Sequence, residues 1–237
     1  EGDRTKGLVL IADHAGRELP DEYGDLGLPA SEFERHIAYD IGVEAVKIGM
    51  LFSPELIRTV AENLRKFAIR TIVLDPVMVA QSGDKLLQDE AIAALKEHLL
   101  PMAELITPNL PEASVLLGRD TFTTAANEQA AVELAAMGCR NVLIKGGHLE
   151  GSDSNDCLFL GGEQRLVILP GERIATRNNH GTGCTLSAAI ASFIARGESI
   201  ENAVRLAKEY ITGAIRAGAE YIIGHGHGPV HHFFRFF

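Results

Sequence analysis

A layered α/β fold built around a mostly parallel sheet is what this sequence predicts. Two patterns carry the prediction. Short apolar runs rich in Val, Ile and Leu recur along the chain without polar alternation, and amphipathic helical stretches separate them. Uniformly apolar strands suit a parallel sheet whose two faces are both covered. Strand–helix–strand repetition supplies the covers. Size agrees, since 237 residues of which 46% are hydrophobic can bury one large core or two small ones. With no sequence repeat, long linker or low-complexity segment, one domain over residues 1–237 is the economical reading.

In chain order, "GLVLIA" (7–12) reads as a strand and 31–41 as a helix. "AVKIG" (45–49) follows as a strand, then a helix over 54–67 with Pro54 in its first turn after Ser53. "TIVLD" (71–75) is a strand and 89–100 a helix. "LITP" (105–108) is a strand leading into a helix that carries Glu112. Residues 125–137 form a helix and "NVLIK" (141–145) a strand. The rhythm then changes. "DCLFL" and "QRLVIL", separated by Gly161 and Gly162, read as a hairpin, and helices at 182–196 and 200–217 close the core.

Composition excludes several function classes. With 22 basic against 32 acidic residues the net charge is −10, which repels nucleic acid and anionic membranes over most of the surface. An anionic ligand must then be held by local dipoles and a few cations. No stretch approaches the roughly 20 apolar residues of a membrane span, and the first residues lack signal-peptide pattern. Aromatic residues are 6% and Trp is absent, so a base-stacking platform is not expected. Cys139, Cys157 and Cys184 are an odd, widely spaced set that suits a reducing cytoplasm.

Four motifs fall at or just beyond strand ends, where open α/β sheets bind ligands. "NNHGTGCTLSAA" (178–189) places Gly181, Thr182, Gly183 and Cys184 where a helix begins. A helix start offers unpaired N–H groups and partial positive charge, suited to a phosphoryl group; a plain glycine turn with Cys184 buried is the alternative. In "LITPNLPEASVLLG", Thr107 ends a strand and Asn109 and Glu112 follow three apart. These could offer oxygen ligands to Mg²⁺, largely through water, or form a helix cap and capping box. "VLIKGGH" sets Lys145 where it could meet a nucleotide phosphate, with Gly146 and Gly147 leaving room. "VLDPVMVAQSGDKLL" sets Asp75 where it could influence a metal or a transferred proton, or simply cap a turn.

From Asp40 to Phe233 the chain resembles the hydroxymethylpyrimidine kinase / phosphomethylpyrimidine kinase family of thiamine biosynthesis, within the ribokinase-like superfamily. The resemblance rests on "DIGVEAVKIGML", "VLDPVMVAQSGD", "LITPNLPEA", "VLIKGGHLEG", "NNHGTGCTLSAAIA" and "GHGPVHHF", in family order. It implies a ribokinase-like three-layer α/β/α fold with a mostly parallel central sheet. It also implies a Mg-ATP enzyme that phosphorylates a hydroxymethylpyrimidine and then its monophosphate. Gly181, Thr182 and Gly183 would be the anion hole and Cys184 the base. Asn109 and Glu112 would match the magnesium motif, Lys145 an ATP contact, and Met50 and Val77 the pyrimidine pocket. Superfamily relatives often dimerise, so a homodimer is an expectation.

Residues 7–45 differ. Asp13-His14-Ala15, Pro20, Leu26-Gly27-Leu28 and Arg35-His36 with Asp40 resemble the amino-terminal part of N-formylglutamate amidohydrolase. The two resemblances meet at "DIGVEA". The expectation is therefore a chimera, with 1–44 a foreign strand–helix unit on a kinase-derived core, 45–237. Two other functions stay open at this point: a scaffold that keeps the ATP site without turnover, and a metal hydrolase using Asp13, His14, His36 and Asp40. Gln81 stands where the kinase family usually has lysine, and Asn179 where it has threonine. His225, His227, His231 and His232 lie close together, but their spacing fits no standard zinc site and reads as a structural tail.

Overall fold

The computed structural model describes residues 43–78, 86–119, 124–147, 154–222 and 225–236. The strand expected at 7–12 and the helix at 31–41 lie outside the described residues. Among the described residues six strands form one sheet in the order β1-β2-β3-β4-β5-β6. The strands β1 (Val46–Ile48), β2 (Ile72–Leu74), β3 (Leu105–Ile106) and β4 (Asn141–Ile144) run parallel. A hairpin of β5 (Asp156–Leu160) and β6 (Arg165–Leu169) adds two antiparallel strands.

Side-chain alternation sorts the core into two faces. Along β2, Ile72 and Leu74 join one cluster and Val73 the other. The first face is covered by α1 (Pro54–Lys66), α2 (Asp89–His98), α3 (Leu110–Leu117) and α4 (Thr124–Ala136). The second is covered by α5 (Thr182–Ala195) and α6 (Ile200–Gly218) through Leu186, Ile190, Val204 and Ile211. The three-layer, mostly parallel architecture expected from the sequence is therefore present.

Local chemistry explains the boundaries. Ser53 accepts the Leu56 N–H at 3.2 Å to start α1, a cap worth about 1 kcal/mol. The helix expected over 89–100 stops at His98. Pro101 disfavours helical backbone at the residue before it, and a 3₁₀ turn (Leu100–Met102) takes over. Ile48, Leu74 and Ile106 are the last residues of their strands and are register partners. The residues that follow them therefore emerge side by side.

Candidate active site

Asp75 leaves β2 at this edge with its backbone N–H on the Ile48 carbonyl, 2.8 Å away, and is 1% exposed. A carboxylate so buried must be partnered. Its Oδ1 accepts from Lys145 Nζ at 2.9 Å and from the Thr107 hydroxyl at 3.2 Å. Its Oδ2 accepts from the Ser187 hydroxyl at 3.0 Å and lies 3.9 Å from Lys47 Nζ. Burial alone would raise its pKa, but Lys145, Lys47 and Ser187 outweigh that and hold it below the ordinary value.

Asn109 and Glu112 close the capping box at the start of α3. The Asn109 Oδ1 accepts the Glu112 N–H at 2.9 Å, and Glu112 Oε2 accepts the Asn109 N–H at 2.7 Å. A bridge between Asn109 and Lys145, with the Lys145 N–H on the Pro108 carbonyl at 2.9 Å, brings β4 alongside. Lys145 Nζ thus lies 3.9 Å from Glu112 Oε2. Burial pushes Glu112 up to about 7, with Asp75 adding to the rise and Lys145 and backbone N–H groups opposing it. Burial opposes charge on Lys145 too, but Asp75, Glu112 and Cys184 together keep its pKa raised.

Above this cluster stands the N-terminus of α5. Gly181 adopts φ +81°, a left-handed conformation that favours glycine, and among the described residues no atom lies within 4 Å of where its Cβ would be. Among the described residues no side chain caps the helix. Thr182 turns back, its hydroxyl on the Asn179 carbonyl at 2.7 Å. A Cβ on Gly183 would come within 3.3 Å of Lys145 Nζ, so the loop rests on the ammonium. Cys184 is exposed, whereas burial pushes the Cys139 and Cys157 thiols up to about 12. All three cysteines are free.

The structure therefore gathers Asp75, Thr107, Asn109, Glu112, Lys145, Gly183 and Cys184 at one edge. Met50, 53% exposed, and Val77, half-buried, leave the neighbouring ends of β1 and β2. One local expectation changes. Gly146 does not leave room for a nucleotide, because its missing Cβ would lie 1.8 Å from the Asn155 carbonyl oxygen. Only the chain itself fills that space. Ser187 and Lys47 join the cluster as well; each is a polar residue inside an apolar run, and its partner Asp75 is not evident from the sequence.

Gln81, Asp13, His14, His36 and Asp40 lie outside the described residues. Asn179 Oδ1 is 3.2 Å from His227 Nδ1, and among the described residues no cluster of three His, Cys, Asp or Glu could hold a metal. The tail docks through Phe234, packed on Tyr210 and Gly213 of α6. A surface cavity of about 460 Å³ at the opposite strand edge is lined by Val132, Ala136, Cys139, Arg140, Phe159 and Gln164 and contains none of the site residues.

Comparison with known proteins places the chain in a family. Residues 31–231 match the phosphomethylpyrimidine kinase family. A hydroxymethylpyrimidine/phosphomethylpyrimidine kinase of Rhizobium meliloti is 50% identical over 197 residues, covering 83% of this chain and 73% of that protein. One of the same description from Streptomyces coelicolor is 46% identical over 231 residues, covering 96% and 84%. The crystal structure of a phosphomethylpyrimidine kinase from Clostridium difficile superposes with a TM-score of 0.65 at 41% identity, covering 74% of this chain and 71% of that one. On the fold and these matches, the chain belongs to the phosphomethylpyrimidine kinase family of ribokinase-like phosphotransferases.

Proposed function

We propose that the chain transfers the γ-phosphoryl group of ATP to the hydroxymethyl oxygen of 4-amino-5-hydroxymethyl-2-methylpyrimidine, and then a second phosphoryl group to the monophosphate. The observation that carries this reading is the uncapped, glycine-initiated N-terminus of α5 resting on Lys145, in a chain of this family. Phosphoryl transfer needs positioning and charge stabilisation more than covalent chemistry. The Gly181–Gly183 backbone stabilises the transferring group, Lys145 and Thr107 serve the nucleotide side together with Asp75 and Asn109, and Cys184 takes the hydroxyl proton. Met50 and Val77 contact the pyrimidine.

Asn109 and Glu112 would hold Mg²⁺. Their donor set fits a hydrated cation, because Asn109 Oδ1 and Glu112 Oε2 each accept one capping-box bond and keep a second lone pair. Direct ligation fits less well, since Glu112 is 2% exposed. When bound, Mg²⁺ supplies counter-charge to phosphate oxygens.

The same proposal extends to organisation. A single domain spans 1–237, with 1–44 a strand–helix unit of separate origin and 45–237 the kinase-derived core. The residues quoted for the amidohydrolase resemblance support that division, while the family match from residue 31 enters the unit. A cytoplasmic homodimer is the setting proposed for it. Among the described residues no helix is long and apolar enough to cross a membrane.

The deciding experiment is ADP release from Mg-ATP dependent on hydroxymethylpyrimidine, run beside Cys184→Ala. Turnover that drops at least about a hundredfold in the variant is expected, the lower end of general-base effects. A folded wild-type protein that binds Mg-ATP but releases no ADP would leave only a nucleotide-binding scaffold.

A further inference from the structure

The ligand edge has a polarity across the sheet. Lys47 belongs to β1, Asp75 follows β2, Thr107 follows β3 and Lys145 follows β4. Two lysines therefore approach Asp75 from opposite sides, and their bonding differs. Lys145 hydrogen-bonds Asp75 at 2.9 Å and is close to Glu112. Lys47 stands 3.9 Å from Asp75 Oδ2, beyond hydrogen-bond reach, with its side chain 21% exposed. Among the described residues its ammonium makes no hydrogen bond, although it carries three donors. Gly49 leaves it room, since a Cβ there would lie 2.8 Å from Lys47 Nζ. The next residue is Met50, on the side assigned above to the pyrimidine.

The two proposed acceptors differ in charge. The first is a neutral alcohol; the second carries a phosphate of about −1.5 to −2 near neutral pH. A chain of net charge −10 repels such an anion unless a local cation receives it. In the second transfer a phosphate oxygen attacks the γ-phosphorus, the new O–P bond forms, and the bond to ADP breaks with its electron pair leaving on ADP. That oxygen is already deprotonated. This step needs a cation on the acceptor side more than it needs a base.

We propose that Lys47 is that cation: it binds the phosphate of the monophosphate acceptor and thereby fits one site to both a neutral and an anionic substrate. The inference rests on the kinase reading above and deepens it. Ser187, which holds the other side of Asp75 Oδ2 at 3.0 Å, fixes the carboxylate between the two lysines.

The test uses the full chain with Mg-ATP and measures kcat/KM for each acceptor in wild type, Lys47→Met and Lys47→Arg. The ratio of monophosphate to hydroxymethylpyrimidine efficiency is expected to fall about a hundredfold in Lys47→Met, on the scale of losing a charge-assisted contact. Lys47→Arg, which keeps the charge, should retain most of the ratio. Equal losses for both acceptors, an unchanged ratio, or Arg failing as badly as Met would overturn the proposal. If Lys47→Met does not fold, Lys47→Gln removes the charge while keeping a polar end and should lower the same ratio; an unchanged ratio there overturns it too. Wild type inactive on both acceptors would sink the kinase reading itself, whereas an active wild type with a Lys47-independent ratio sinks only this inference.

Discussion

Glu112 is held 2% exposed between an ammonium and two backbone donors, and burial raises its pKa from the ordinary 4.5 to about 7. The folded protein thus keeps a proton that the unfolded chain releases between those values. The contribution of Glu112 to stability is complete below pH 4.5 and is lost as pH rises through about 7. Asp75, with its pKa lowered, works in the opposite sense: its contribution is present above the ordinary carboxylate range and lost on acidification. In Mg-free buffer, wild type should lose up to about 3 kcal/mol between pH 5 and 8 relative to Glu112→Gln. Urea melts across that range check it, and parallel slopes would refute it. Most of this residue-scale detail was readable because Asp75, Thr107, Asn109 and Lys145 each follow an apolar run. Ser187 was not, since its partner Asp75 lies 112 residues away and only the packing of α5 on β2 brings them together.

Among elements, the β5–β6 hairpin does more than extend the sheet. The antiparallel β5 begins beside the end of β4, so Asp156 stands next to the Lys145 exit. Its Oδ1 accepts the Gly146 N–H at 2.9 Å and its Oδ2 meets Lys208 of α6 at 2.5 Å. Both side chains are largely buried, at 8% and 14% exposed. Lys208→Met removes one member of a buried pair and leaves the other charge unpaired. A loss of about 3–5 kcal/mol in urea denaturation is expected, and less than about 1 kcal/mol would mean solvent already shares the carboxylate. The hairpin itself was legible from two apolar runs around Gly161-Gly162. Its tie to Gly146 was not, because a close approach of two backbones leaves no periodic trace. The break at Pro101 was available in the sequence, yet the apolar pattern running through Leu99 and Leu100 masked it.

At the scale of the molecule, one sheet carries both apolar clusters. Neither helical layer can keep its buried face without the strands, so loss of the sheet exposes both sides together. Calorimetry should therefore show one cooperative transition. Two separated transitions would contradict the single-domain proposal and point instead to an independently folding unit within 1–44. Element order and layering followed from the sequence because strand and helix periods differ sharply. That Asp75, Thr107, Asn109 and Lys145 sit at strand ends was legible too; register adds that these ends lie side by side, because it places Ile48, Leu74 and Ile106 level.

The reversal of direction at β5 has a further consequence. Asp156 lies at the ligand edge, so the turn after Leu160 falls about 17 Å away, at the opposite rim. Residues 162–164 can therefore lengthen or carry a fused label under little selective constraint from the chemistry, whereas Gly161 stays glycine because a Cβ there would lie 2.2 Å from the Arg140 carbonyl oxygen. An antiparallel strand here separates the part of the hairpin that must stay constant from the part left open to change.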